Sequence, residues 1–294
     1  MQIIDGKLTA QTIKEELKQE VTELKTKVGK VPGLVTILVG EDPASQVYVN
    51  SKIKTCSQIG ILSKQERLST EISEDELLKL IDKYNNDSDI HGILVQLPLP
   101  KHIDEDKVIE AISPEKDVDG FHPTSIGKLV IGTDTFKSCT PYGVMELLKR
   151  YKIETKSKHV VVVGRSNIVG KPIANMLVQK EEGANSIVTI CHSAAPDISV
   201  YTKQADILIA AVGRANLITA DMVKDDVVVI DVGINSVDAP NTKKGYKLVG
   251  DVNFEEVSKK ASYITPVPGG VGPMTIAMLM SNTVKAFKNF IIKN

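Results

Sequence analysis

Apolar and polar positions follow two different periods along this chain, and the two periods alternate. Ile13, Leu17, Val21, Leu24 and Val28 recur at helical spacing and predict one amphipathic helix. Residues 34–39, LVTILV, read as a buried strand, ended by Gly40. Asp42-Pro43 then predicts a helix start, with the carboxylate as N-cap and proline at the first helical position. That helix is expected to run to about Ile59, with Gly60 near its end. Ser73 and Glu76 have capping-box spacing ahead of Leu77, Leu80 and Ile81. A second apolar strand, 90–95, stops at the prolines of 97–100, which cannot sit in a central strand.

Residues 117–123 read DVDGFHP, a loop, and Thr140-Pro141 starts another helix. Five strand-like runs follow, at 160–163, 186–190, 207–211, 227–231 and 263–265. Each of the first four is expected to lead through a loop into a helix, the pattern of a parallel, doubly wound sheet. Residues 274–291 again have a helical pattern. The fold class expected is α/β, with two α/β domains, the second a doubly wound Rossmann-type sheet. The break is placed near residue 140, giving domains 1–140 and 141–271. The C-terminal helix, 272–294, is expected to fold back onto the first domain.

A length of 294 residues suits two domains at a prior of roughly 150 residues each. Lys and Arg number 36 against 37 Asp and Glu, which leaves no electrostatic footprint for nucleic acid or an anionic membrane. The longest apolar runs, such as 160–163 and 227–230, cannot span a bilayer. The N-terminal segment shows neither a signal-peptide core nor an Arg-rich transit pattern, so a cytoplasmic location is expected. Cys56, Cys139 and Cys191 are scattered and odd in number, and they support neither a disulfide framework nor a metal site. Three buried small hydrophobes in a reducing compartment is the better reading.

VVVVGRSNIVGKP, residues 160–172, reads as a buried strand, a glycine loop and a helix. A dinucleotide's pyrophosphate binds where such a helix begins, facing free backbone N–H groups and the positive end of the helix dipole. Gly164 allows the tight turn, and Gly170 lets the helix approach the strand. Ser166 stands where the usual fingerprint has its second glycine, so the loop alone is a weak signal; opening a run of βα units strengthens it. An NAD site normally ends its second strand on a carboxylate. Here that strand ends Ile190-Cys191-His192-Ser193, without one. Arg165 and Ser193 suit a ribose 2′-phosphate instead, which favours NADP, although most arginines are simply solvated.

Tyr48 and Lys52 lie four residues apart and share a helix face. A lysine in a partly apolar site loses solvation of its ammonium form and becomes available for base chemistry. Most helical lysines are only solvated charges, and the pair alone decides nothing. Tyr-x-x-x-Lys is also the catalytic pair of short-chain dehydrogenases, but there it follows the glycine loop within one dinucleotide fold. Here it precedes the loop by more than a hundred residues, so that reading fails.

Six segments together are specific: YVNSK at 48–52, GILVQLPLP at 92–100, PEKDVDGFHP at 114–123, VVVGRSNIVGKP at 161–172, DVGIN at 231–235 and TPVPGGVGPMT at 265–275. In this order they closely resemble the bifunctional methylenetetrahydrofolate dehydrogenase/cyclohydrolase family, in its short bacterial-type form, over essentially the full length. The resemblance implies a folate substrate in a cleft between two α/β domains, NADP as cofactor, and a homodimer paired through the dinucleotide-binding domains. It implies NADP-dependent oxidation of 5,10-methylenetetrahydrofolate followed by hydrolysis to 10-formyltetrahydrofolate. Lys52 matches the family's essential lysine, Tyr48 the tyrosine that stacks on the pterin-side rings, Gln96 the glutamine that orients the lysine, and Asp119 the carboxylate that holds the pterin. Gly164, Arg165, Ser166, Ser193 and Ile234 match the cofactor contacts, and Pro268, Gly269 and Gly270 lie in a segment expected to approach the flat rings. Without the resemblance, Asp119 and Gln96 read as ordinary loop and strand-end residues, and the proline-glycine segment as turns. Two rival readings are a member with a single activity and a non-catalytic nucleotide-binding protein. The first is disfavoured by the presence of both Lys52 and the glycine loop, the second by Tyr48, Lys52, Gln96 and Asp119 at matched positions.

Overall fold

A computed structural model describes residues 1–242 and 245–293. The chain divides into two compact units. One, the six-strand unit, holds residues 1–10, 129–132 and 140–275; the other, the three-strand unit, holds 11–128, 133–139 and the chain from 276 onward.

β1 (Gln2–Ile3) and α1 (Gly6–Val28) open the chain. Along α1 the predicted stripe buries Ile13, Leu17 and Val21, while Val28 at its end is exposed. The three-strand sheet is β2 (Gly33–Val39), β3 (Leu62–Leu68) and β4 (Gly92–Val95), parallel throughout and ordered β3-β2-β4. Every residue of the central β2 is buried, hence its apolar sequence, interrupted only by Thr36. β3 reads LSKQERL, an edge strand without apolar continuity, and hydrophobic pattern does not reveal it.

α2 (Pro43–Ile59) and α3 (Glu74–Asn85) are bounded by the predicted caps. Asp42 accepts from the Ser45 amide at 2.7 Å, and Gly60 closes α2 in the left-handed region at φ 90°. Ser73 Oγ accepts from Glu76 N, and the Glu76 carboxylate accepts from Ser73 N at 3.1 Å. Val35, Ile37 and Val39 of β2 pack with Leu77, Ile81 and Tyr84 of α3 into the core of this unit. β4 begins at Gly92 and not at Ile90, whose amide closes a turn onto Asp87. α4 (Glu105–Ala111) and α5 (Pro123–Ile131) are too short for a helical period to stand out in sequence.

After α6 (Cys139–Arg150) come β5 (His159–Val163), α7 (Gly170–Leu177), β6 (Ile187–Cys191), α8 (Ser199–Thr202), β7 (Ile207–Ala210) and β8 (Val228–Asp231). The expected helix after each of the first four strands is found only after β5 and, as a single turn, after β6. β7 is followed by a 3-10 turn at Ala220–Met222, and β8 by the antiparallel hairpin β9 (Asn235–Asp238) and β10 (Tyr246–Val249). The reason is in the residues: Asn235 and Val237 are half-buried while Ser236 and Asp238 are exposed, the strand period, and Pro240 and Gly245 suit a turn better than a helix. α9 (Phe254–Val257) and β11 (Tyr263–Ile264) precede α10 (Val271–Lys293). α10 extends past the predicted 274–291 at both ends; Asn294, part of the expected helix 272–294, lies outside the described residues.

The six-strand sheet has the order β1-β11-β8-β7-β5-β6, with every pairing parallel. Within the three-strand unit, α10 places Phe287 edge-on to the His91 ring at 4.7 Å and Met280 Sδ 3.5 Å from Cys56 Sγ. The three cysteines are free and buried. Among the described residues, no helix is long and apolar enough to cross a membrane.

Candidate active site

The three-strand unit brings Lys52, Gln96 and Asp119 together. Lys52 sits near the middle of α2, one turn after Tyr48, and its side chain is turned inward to 8% exposure. Its Nζ donates to Gln96 Oε1 at 2.9 Å. Gln96 follows the last residue of β4. Its backbone N–H donates to Ile37 O on the neighbouring strand, and its Nε2 donates to Leu97 O at 2.7 Å. Both ends of the amide are thus used, and Oε1 is left to face the lysine. Tyr48 shares the helix face and stays 40% exposed, a ring open to solvent rather than core.

Asp119 lies on the loop between α4 and α5. Burial pushes its carboxyl above the ordinary aspartate range, while the Lys52 charge and a hydrogen bond from the Cys139 thiol pull it down. Burial, and then the Asp119 charge, hold the Cys139 thiol well above its usual value, so the thiol stays a neutral donor.

The loop is held by residues that sequence reading passes over. Asp117 is buried and accepts from Gly120 N and Phe121 N at 3.1 Å, His122 N at 2.9 Å and Ser125 Oγ at 2.7 Å. From the other side Asn282 of α10 donates to Val118 O at 2.8 Å and Lys137 O at 2.9 Å. An aspartate followed three to five residues later by loop amides is a recognisable turn signal. Asn282, more than a hundred residues away, carries no signal at all. A cavity of about 710 Å³ in this unit is a different place, bordered by none of Tyr48, Lys52, Gln96 or Asp119. Its Lys116 and Lys285 are engaged within the protein, on Tyr84 O and Asp87 O and on Asp134 and Thr135 O.

In the six-strand unit the remaining site residues gather along one edge of the sheet. Val163 pairs with Cys191 and Ala210, and Ala210 with Asp231, so the loops after β5, β6, β7 and β8 all leave the sheet together. Arg165 and Ser193 each stand two residues beyond the paired Val163 and Cys191, and both are exposed. Gly164 has φ +123°, and a Cβ there would come 2.2 Å from Ala211 O. A Cβ on Gly170 would come 2.3 Å from Gly164 O, so strand and helix approach as closely as the glycine spacing predicts. Ser166 caps the start of α7: its Oγ accepts from Val169 N at 3.2 Å and Gly170 N at 3.3 Å. Ile234 is partly exposed after β8. Pro268, Gly269 and Gly270 turn back against the start of α1, where Lys7 N donates to Gly269 O and Gly6 leaves no room for a side chain beside Gly270 O.

These motifs can be compared with known families. A tetrahydrofolate dehydrogenase/cyclohydrolase catalytic-domain model matches residues 4–119, and the corresponding NAD(P)-binding-domain model matches 138–291. The chain belongs to the tetrahydrofolate dehydrogenase/cyclohydrolase family. Among its relatives in this family, the bifunctional protein FolD of Chloroherpeton thalassium is 61% identical over 293 residues, covering 99% of this chain and all of that protein. The bifunctional FolD methylenetetrahydrofolate dehydrogenase/cyclohydrolase of Campylobacter jejuni superposes with a TM-score of 0.92 at 53% identity, over 98% of this chain and 99% of that one. The Trypanosoma brucei dehydrogenase-cyclohydrolase, solved with NADP cofactor and inhibitor, gives 0.93 at 39% identity, over 98% of both chains. Both units of this family member thus have matched counterparts. Among the described residues there is no group of three or more His, Cys, Asp or Glu that could hold a metal ion.

Proposed function

We propose that this chain oxidises 5,10-methylenetetrahydrofolate to the 5,10-methenyl form with NADP, and then hydrolyses that product to 10-formyltetrahydrofolate. Membership of the family supports both activities. The observation that carries the chemistry is the inward-turned Lys52, whose Nζ is held by Gln96 beside Asp119. Residues 1–140 are read as the folate-binding catalytic part, joined by the C-terminal helix 272–294, and residues 141–271 as the cofactor-binding part.

The residues at the sheet edge fit NADP. Gly164 and Gly170 leave a turn without side chains, as the close contacts at both positions require. Arg165 and Ser193 are exposed at equivalent places on neighbouring strands, with no carboxylate at the end of β6 to repel a 2′-phosphate. Gly164, Arg165, Ser166, Ser193 and Ile234 would hold the cofactor, which supplies the hydride acceptor.

Tyr48 offers its exposed ring to the pterin-side rings, and Asp119 accepts from the paired N–H donors of the pterin edge. The small residues Pro268, Gly269 and Gly270 let backbone approach the substrate. For oxidation these residues supply position, worth up to about 7–11 kcal/mol of barrier in well-oriented reactions. Hydrolysis also needs proton transfer. As water adds to the methenyl carbon, Lys52 Nζ, acting as the unprotonated amine, takes one of its protons; as the C–N bond breaks, that proton passes to the released nitrogen and the hydroxyl proton leaves to solvent as the formyl C=O forms. Such general acid–base help is worth about 10²–10⁴-fold.

The reading extends to a cytoplasmic homodimer. β6 is the sheet's edge strand, and Ile187 and Ile190 on it are exposed, as are Val200 and Tyr201 nearby in sequence. Edge strands of this kind are ordinarily covered. The test of function is direct: supply the protein with methylenetetrahydrofolate and NADP and follow absorbance. Reduced cofactor and formyl product in equal amounts are expected; a mixture that stays oxidised refutes the assignment.

A further inference from the structure

Two buried carboxylates in the six-strand unit have no part in the chemistry above. Asp231 ends β8 at 3% exposure, and Asp251, after β10, is at 0%. Neither forms an ion pair among the described residues. Burying a carboxylate without a cation is costly unless hydrogen bonds replace its water. Here the replacement is made largely of backbone amides. Asp231 accepts from Gly233 N at 3.0 Å and from Asp251 N and Val252 N at 2.9 Å. Asp251 accepts from Val212 N at 2.6 Å, Gly213 N at 3.0 Å, Arg214 N at 2.9 Å and Asn235 Nδ2 at 2.9 Å.

The donors belong to the loops after β7, β8 and β10 and to Asn235 at the start of β9, and the loops after β7 and β8 border the candidate cofactor residues. Gly233 and Asn235 flank Ile234, and each is tied to one of the two carboxylates. Val212 to Arg214 continue from Ala211, the residue against whose carbonyl Gly164 rests. The packing leaves no slack. A Cβ on Gly233 would lie 2.2 Å from Asp251 Oδ1, and one on Gly250 would lie 1.8 Å from Asp231 Oδ2.

We infer that Asp231 and Asp251 are positioning residues for the cofactor: together they clamp the loops after β7 and β8 so that Ile234 and the surface behind Gly164 are held ready for the dinucleotide. The inference rests on the assignment of this sheet edge to NADP. A core residue needed only for folding would reduce the amount of active protein and leave the cofactor affinity of the folded fraction unchanged. A positioning residue changes that affinity in folded protein.

The test is a titration of NADP against wild type, Asp251→Asn and Asn235→Ala, with circular dichroism to confirm folding and hydrolysis of methenyltetrahydrofolate as a cofactor-independent control. In Asp251→Asn one oxygen becomes an amide donor facing N–H groups, whichever way the side chain turns. Its NADP dissociation constant is expected to rise about 10–100-fold, the size of a lost charge-assisted contact, with hydrolysis within about twofold of wild type. Asn235→Ala removes a single tie without touching either carboxylate. It is expected to raise the constant several-fold, and it decides the matter if Asp251→Asn does not fold. Unchanged NADP affinity in folded variants, or both activities falling in step, overturns the inference while leaving the cofactor assignment standing. A wild type that binds no NADP overturns the assignment itself, and the inference with it.

Discussion

Gln96 Oε1 accepts a hydrogen bond from Lys52 Nζ at 2.9 Å, joining residues 44 apart in sequence. The contact has one sense only, because the Gln96 Nε2 is committed to Leu97 O and its backbone N–H to Ile37 O. A flexible lysine side chain has many rotamers, and this strand-end amide selects the one that holds Nζ beside Asp119.

Gln96→Ala removes that selection and keeps the lysine. A hydrogen bond to a charged group is worth about 1.5–3 kcal/mol, so hydrolysis of methenyltetrahydrofolate is expected to fall about 10–100-fold. The fall should appear in kcat more than in KM, because the pterin contacts remain. A kcat within twofold of wild type means that Lys52 needs no such guide.

Arg165→Ala tests the reading of the 2′-phosphate. Loss of a charge-assisted hydrogen bond is expected to weaken NADP binding about 10–100-fold and NAD binding hardly at all. Steady-state KM values for the two cofactors measure this. Equal losses mean the arginine does not distinguish them.

The buried Asp231 predicts a pH effect on stability. Burial, together with the nearby Asp251 charge, lifts its carboxyl from 3.8 to about 7, against the pull of the amides that bond to it. The folded state therefore holds this proton more tightly than the unfolded chain does. Its contribution is full below the unfolded value of 3.8 and is lost as pH rises through about 7. The thermal midpoint of wild type should thus drop more steeply than that of Asp231→Asn between about pH 5 and about pH 8. Parallel curves from calorimetry contradict the shifted carboxyl.

Much of this architecture was readable before any coordinates. Asp42-Pro43, Gly60 and the Ser73/Glu76 box mark helix ends because caps act through local backbone groups. The buried strands β2 and β5 announce themselves by their dominantly apolar sequences. What stayed hidden depends on partners distant in sequence. β3 is polar and exists because β2 offers it a hydrogen-bonding edge. The hairpin β9–β10 replaces an expected helix because its strand period spans only four residues a side. Within the candidate site, the family resemblance picks out Lys52, Gln96 and Asp119, and the fold brings these three together. It does not pick out their supports: Asp117, Asn282, Asp231 and Asp251 act on backbone groups that only the folded chain collects.

Lys52→Met tests the role of the lysine amine most directly, since methionine keeps most of the side chain's length and removes its proton chemistry. Hydrolysis of methenyltetrahydrofolate by this variant is the measurement, alongside an NADP titration to show that the cofactor site is intact. The expected result is loss of hydrolysis by about 10²–10⁴-fold with cofactor affinity unchanged. Hydrolysis at the wild-type rate would contradict it and remove Lys52 from the reaction.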